Sequence, residues 1–229
     1  MDQPLPAPAI AAATAPLLIA LPKGRILREL LPLLERAGLA PAPDCADEDS
    51  RRLRFETADS RIEVIRVRPF DVVTFVAHGA AQLGVAGADV LMEFDTPEVY
   101  APLDLGIAAC RVSVAGPADA PEEDMARLSR ITVATKYPNI ARRHFAARGI
   151  QAEIVHLNGA MELAPALGLA RVIVDLVATG ATLRANGLRE REVIAEVTSR
   201  LIVNRSALKT MPDEISALIA RFRAALPSP

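Results

Sequence analysis

Residues 175–183 read DLVATGATL and overlap the end of a hydrophobic run, VIVDLV, at 172–177. An acid near a strand end followed by Thr179, Gly180, Ala181 and Thr182 brings two hydroxyls and a set of backbone N–H groups to the start of a short helix. That grouping suits the cradling of a phosphate, with Asp175 facing a sugar. The same letters fit an ordinary strand-to-helix turn with Thr179 or Thr182 as N-cap. Upstream, Glu162 opens a helix in LNGAMELAP. Its carboxylate would accept hydrogen bonds from ribose hydroxyls, reach a metal through water, or do no more than offset the helix dipole.

Two further groups carry positive charge. Lys23, Gly24 and Arg25 directly follow the first hydrophobic run, where a polyphosphate would meet cations and exposed N–H groups together. Arg51, Arg52 and Arg54 place three cations in four positions, more than a solvated strand edge needs. Gly87-Ala88-Asp89 and Thr135-Lys136-Tyr137-Pro138-Asn139 sit at two strand-to-helix junctions. Tyr137 would stack on or flank a base, while capping by Asp89 and a Pro in the first helical turn explain the same strings structurally. His78, His144 and His156 form no triad, and no Ser or Cys has a nucleophile-elbow frame, so covalent catalysis is disfavoured.

The elements that must position these residues alternate. LLIAL before Pro22 reads as a strand buried on both faces, and Leu27, Leu30, Leu31 and Leu34 read as a helix ended by Gly38. RLRFET and RIEVIRVR form a strand pair; 70–79 reads as a helix, 83–87 as a strand, and Asp89 to Phe94 as a further helix. A β-rich run, LGIAACRVSVAG, and an acidic helix, PEEDMARL, lead to a second βα set: ITVAT at 131–135, EIVHL at 153–157, the helix MELAPAL, and VIVDLV. Residues 191–205 alternate for too long to be one flat strand and predict a segment crossing back to the first unit, closed by a helix from Pro212 to Ala225. In that last helix Leu218, Ile219, Phe222 and Leu226 predict core contacts ahead of a subunit interface.

The fold class is therefore α/β, with two βα domains and a cleft between them. Domain I spans 17–105 plus about 190–229, domain II about 106–189, and residues 1–16 are expected to be a disordered tail. With 26 basic and 28 acidic residues the net charge is −2, no field for a nucleic-acid backbone. The lack of Trp removes the usual stacking platforms, so any bound nucleotide is expected to be small. Cys45 and Cys110 have no metal-ligand spacing, and free thiols suit the cytoplasm. Prolines 4, 6, 8, 16 and 22 break any spanning or export helix in the uncharged stretch 3–22, so no membrane association is expected.

Together LLIALPKGR, VRPFDVVTFVAHGAAQLGVAGADVL, PLDLGIAACR, VATKYPNIARRHF and ELAPALGLARVIVDLVATGATLRANGL resemble the ATP phosphoribosyltransferase family, specifically its short form. The resemblance runs from about Leu17 to Asn204 and implies a fold like type II periplasmic binding proteins. It implies attack of adenine N1 of ATP on C1′ of phosphoribosyl pyrophosphate (PRPP), with Mg²⁺ carried on the diphosphate and no direct metal ligation by the protein. It assigns Asp175 and Thr179 to Thr182 to the ribose phosphate and Glu162 to the sugar hydroxyls. Lys23, Arg25 and Arg51 fall to the polyphosphate charge, and Gly87, Asp89, Cys110, Thr135 and Tyr137 to the ATP side. It also implies a homodimer within a hetero-octamer, with a regulatory subunit resembling histidyl-tRNA synthetase that senses histidine, because one helix beyond Asn204 leaves no room for the long form's sensing domain. Two readings compete: a ligand-binding module of the same fold without chemistry, and an interaction subunit that has lost catalysis.

Overall fold

The computed structural model describes residues 15–120 and 128–227. All but the last residue of the acidic helix expected at 121–128, and most of the expected tail at 1–16, lie outside the described residues. The chain begins with β1 (Leu17–Pro22), α1 (Arg25–Arg36), β2 (Arg54–Glu56), β3 (Ile62–Val67), α2 (Pro69–Ala77), β4 (Leu83–Gly87), α3 (Ala88–Phe94) and β5 (Val99–Asp104). Residues 105–109 carry it into β6 (Cys110–Pro117), β7 (Arg130–Thr135), α4 (Pro138–Ala146), β8 (Gln151–His156), α5 (Leu163–Ala166), β9 (Val172–Val177), α6 (Ala181–Ala185) and β10 (Leu188–Val197). It returns through β11 (Ser199–Asn204), α7 (Arg205–Thr210) and α8 (Pro212–Ala225).

Two sheets result. The first has six strands in the order β2-β3-β1-β4-β11-β5, the second five in the order β10-β6-β9-β7-β8. β3, β1 and β4 run parallel, as do β8, β7 and β9, so the C-terminal ends of each set gather at one edge of their sheet. In open α/β sheets that edge is where ligands bind.

Strand periodicity of two decides which helix covers which face. Ile19 and Leu21 face a core shared with Leu27, Leu30, Leu33 and Leu34 of α1 and Leu218 and Phe222 of α8. Ala20 faces α2 on the other side, with Val72 and Val76. Gly84 in β4 is needed there, since a Cβ would meet both Val72 Cγ1 and Val76 Cγ2 at 2.9 Å. In the second sheet Val133, Val172 and Val174 pack on Ile140 and Phe145 of α4. Ile173 and Val177 pack with Met161, Ala164 and Leu183 on the opposite face.

Several expectations need adjustment. Leu33, and not Leu31, lies in the buried stripe of α1, with Leu31 half-buried. The β-rich run at 105–116 is strand only from Cys110, because residues 105–109 form the crossover. The expected MELAPAL helix shrinks to the four residues of α5, while β5 and α7 were not anticipated. The crossing segment is two strands broken at Thr198. β10 pairs with β6 along its length, so the return to the first sheet falls at Thr198 and not near residue 190. Both cysteines are free. Among the described residues no helix is long and apolar enough to cross a membrane.

Candidate active site

A cleft of about 640 Å³ opens between the two sheets at the C-terminal ends of their parallel strands. Lys23, Arg25, Gly87 and Asp89 enter it from the first sheet, and Cys110, Lys136, Tyr137, His156 and Asn158 from the second.

Asp89 sits in the first turn of α3 and is folded back over Gly87. A Cβ at residue 87 would lie 2.1 Å from Asp89 Oδ1, so glycine is required for that carboxylate to occupy its place. Asp89 is only 5% exposed, and burial pushes its carboxyl above the usual range. The Tyr137 hydroxyl donates to Asp89 Oδ2 at 2.6 Å. Burial, with Asp89 beside it, drives the Tyr137 phenol far above its ordinary value, so it remains a hydrogen-bond donor. Its ring packs 5.4 Å from Phe70. Thr135 lies behind this pair: its hydroxyl donates to the Val174 carbonyl at 2.6 Å and accepts from Tyr137 N–H at 2.8 Å. Tyr137→Phe is expected to lower stability by about 1–3 kcal/mol, because a buried carboxylate oxygen loses its donor while the ring packing is kept. Chemical denaturation of the variant checks this, and an unchanged midpoint would show the bond to be energetically idle.

α3 and α4 are joined a second time. Glu93, 3% exposed, accepts from Asn139 N–H at 2.9 Å and Ile140 N–H at 3.0 Å. A carboxylate from one unit thus caps the helix N-terminus of the other, where N–H groups lack intrahelical acceptors.

On the second sheet, Asp175 shares the face of Ile173 and Val177, toward α5 and α6. Its Oδ1 accepts from Leu176 N–H at 2.8 Å and lies 3.3 Å from Lys136 Nζ. Lys136 also stands over the Tyr137 ring, its ammonium 5.1 Å from the centroid. The following turn is set by Gly180, which adopts the left-handed region (φ 72°) as N-cap of α6, so neither Thr179 nor Thr182 is the N-cap residue. Arg111 donates to the Ala178 carbonyl at 3.2 Å while gripping Glu190 at 2.6 Å, and Arg184 donates to the Thr179 carbonyl at 3.1 Å. Two guanidinium groups therefore hold the loop by its carbonyls. Ala181 N–H reaches Thr179 Oγ1 at 3.3 Å, and the exposed Thr182 borders the same turn. Glu162 is half-buried as N-cap residue of α5, and its side chain makes no capping bond.

The cations of the first sheet differ in how they are committed. Arg25 pairs with Glu29 at 2.8 Å and donates to the Ala109 carbonyl at 3.1 Å, tying α1 to the crossover. Arg52 pairs with Asp44 and Glu56, and Arg54 with Glu63. Among the described residues Lys23 and Arg51 carry no ion pair, which leaves both charges available to an anion. Arg51 is outside the cleft wall; its loop runs beside the Lys23 turn, Ala46 and Glu48 sharing a 250 Å³ cavity with Lys23, Gly24 and Arg66.

The cleft thus gathers Lys23, Arg25, Gly87, Asp89, Cys110 and Tyr137. Thr135 stands behind it, while Arg51, Glu162, Asp175 and residues 179–182 lie outside its wall. Arg68 in the wall is new, and Lys136, named above only within the junction string 135–139, gains a place there. Lys136 carried a usable signal, since it follows a strand end as Lys23 does. Burial pushes the Cys110 thiol up, so it stays protonated and supplies no thiolate. His156 joins the wall, whereas His144 is buried beside Glu192 at 3.2 Å.

The sequence profile described as ATP phosphoribosyltransferase matches residues 68–224. The chain is 69% identical over 212 residues to the ATP phosphoribosyltransferase of Gluconobacter oxydans, covering 93% of this chain and 88% of that protein. Its structure is similar to a chain of the ATP phosphoribosyl transferase (HisG:HisZ) complex from Thermotoga maritima, with TM-score 0.77, 30% identity, and coverage of 91% of this chain and 98% of that one. The periplasmic aliphatic sulphonate binding protein SsuA from Escherichia coli shares the two-domain fold at TM-score 0.58 and 16% identity, covering 91% of this chain and 68% of that one. A match across most of the length, with the cleft formed between two βα units, leaves one assignment: the chain belongs to the ATP phosphoribosyltransferase family.

Proposed function

We propose that PRPP, held on the second sheet beside the cleft at Asp175 and residues 179–182 with Glu162 on its sugar hydroxyls, meets ATP held in the cleft along Gly87, Asp89, Cys110 and Tyr137, with Thr135 behind Tyr137. The reaction is the transfer of the phosphoribosyl group of PRPP to N1 of ATP, giving N1-(5-phosphoribosyl)-ATP and diphosphate, the first step of L-histidine biosynthesis. The observation that supports this reading most is a single cleft walled by cations of both sheets, Lys23, Arg25 and Arg68 on one side and Lys136 on the other.

The adenine N1 lone pair forms the new bond to C1′ as the bond from C1′ to the diphosphate oxygen breaks. ATP is itself the nucleophile, so the reaction asks for no nucleophilic side chain. The chain's contribution is then alignment of the two substrates and stabilisation of the departing anion. Lys23, Arg25 and Arg51 carry that second task. Asp89, fixed by Tyr137 and Gly87, offers an acceptor to the adenine nucleotide.

Members of the family need a metal for catalysis. Among the described residues no group of three or more His, Cys, Asp or Glu side chains is placed to hold one. We take the metal as Mg²⁺ carried by the substrate diphosphate, which Glu162 would reach through water. When bound, such an ion spreads the negative charge of the diphosphate.

We place the enzyme in the cytoplasm, as a homodimer within a hetero-octamer whose other subunit resembles histidyl-tRNA synthetase and senses histidine. The likeness to a chain of the Thermotoga maritima complex supports that partnership. Incubation with ATP and PRPP, with and without that subunit, is expected to yield diphosphate and the N1-linked product. A saturable ligand-binding signal with no diphosphate release in either mixture would favour a binding module instead.

A further inference from the structure

The loop carrying Arg51 is fastened by a side chain that has so far been given no role. Arg66, in β3, is 2% exposed, and a guanidinium so buried needs acceptors for its charge. Its Nη1 donates to the Cys45 carbonyl at 2.8 Å and to the Asp47 carbonyl. Its Nη2 donates to the Ser50 carbonyl at 2.6 Å and the Arg52 carbonyl at 3.4 Å. The Arg66 main-chain N–H adds a bond to the Leu53 carbonyl at 2.8 Å. Four main-chain carbonyls within residues 45–52 thus converge on one planar fork, and its carbon lies 5.3 Å over the buried Phe55 ring.

Ser50 and Arg52 flank Arg51. A fork that grips both of their carbonyls fixes the backbone of residue 51 and the direction in which its side chain leaves the loop. The neighbours Arg52 and Arg54 are committed to Asp44, Glu56 and Glu63, so the grip presents the one cation of the three that has no carboxylate partner among the described residues. We infer that Arg66 is a positioning residue for phosphoribosyl transfer, holding Arg51 where negative charge develops on the departing diphosphate. This rests on the role proposed above for Arg51. Lysine is no substitute, because three donors radiating from one nitrogen cannot span four carbonyls as a planar fork does.

Arg66→Lys keeps the charge and most of the stem. Its single-turnover rate is expected to fall about 10- to 100-fold, the scale of a misplaced catalytic contact. Its KM for PRPP is expected to stay within about twofold, because the ribose phosphate is held on the other sheet. A merely structural role predicts no such split. In an Arg51→Ala background, Arg66→Lys is expected to cost no more than about a further twofold, because residues acting as a unit are not additive. A slow Arg51→Ala with Arg66→Lys at the wild-type rate, or two losses that multiply, overturns the inference alone; an Arg51→Ala at the wild-type rate overturns the reading of Arg51 and the inference with it. The guanidinium protons of Arg66 on the wild-type chain are independent of any variant: they are expected to exchange slowly with water in NMR spectra, and exchange at the rate of a free arginine would show that no clamp operates.

Discussion

Arg51→Ala is expected to lower the single-turnover rate of phosphoribosyl transfer by about 10²- to 10³-fold, the loss seen when one preorganised donor to a developing anion is removed. The expectation follows from the charge inventory around the loop. Arg52 and Arg54 are neutralised by carboxylates in place, whereas Arg51 has none among the described residues. A cation already paired must break that pair to serve a substrate; an unpaired one costs no such reorganisation. The change should appear in the chemical step and leave PRPP affinity largely intact, since charge on the departing diphosphate grows only as its bond to C1′ breaks. Rapid-quench single-turnover measurements with excess enzyme read this directly, and an unchanged rate removes Arg51 from the chemistry.

For Asp175→Asn a loss of about 10²-fold in kcat/KM for PRPP is expected, since hydrogen bonds made by a charged group contribute roughly 1.5–3 kcal/mol. Asn preserves the size of the side chain and its acceptor toward Leu176 N–H but discards the charge that faces Lys136 at 3.3 Å. The ammonium, 26% exposed, then lacks its counter-ion and is free to swing toward a phosphate or water. The fold should survive, because Asp175 sits at the margin of the core formed by Ile173, Val177 and Leu183 and contributes no apolar contact to it. Near-normal melting with depressed kcat/KM is the expected pattern. Equal losses of folded protein and activity would make Asp175 a structural residue.

Much of the architecture was legible because it follows from local periodicity. VIVDLV coincides with β9, LGVAG with β4, and the last amphipathic stretch with α8 from Pro212 to Ala225. β5 was hidden because an edge strand with exposed Tyr100 and an internal Pro102 has no buried face to impose alternation. α7 is only six residues long and capped by the Asn204 side chain, which accepts from Ala207 N–H at 2.8 Å, a signal too short to separate from a turn. The left-handed Gly180 at the start of α6 was hidden behind Thr179 and Thr182, whose hydroxyls suit an N-cap equally well by residue type. What could not be read is which polar groups tertiary packing buries. Nothing in RIEVIRVR marks Arg66 as the residue that turns inward to four carbonyls, and nothing in TKYPN shows that Asn139 meets a carboxylate from α3.

That last contact bears on how the molecule comes apart. Each unit has its own sheet and its own apolar core, an arrangement that ordinarily permits stepwise denaturation. Yet Glu93 and Asp89 are buried only while the other unit supplies Asn139, Ile140 and Tyr137. If the second unit melted first, Phe70, Ala88 and Met92, which pack against its core, would be left facing water, and if the first melted, α4 would lose its cap. Partly unfolded species are therefore penalised from both sides. Circular dichroism and tyrosine fluorescence should report one coincident urea transition, and resolved midpoints would mean that the two cores unfold independently despite these contacts.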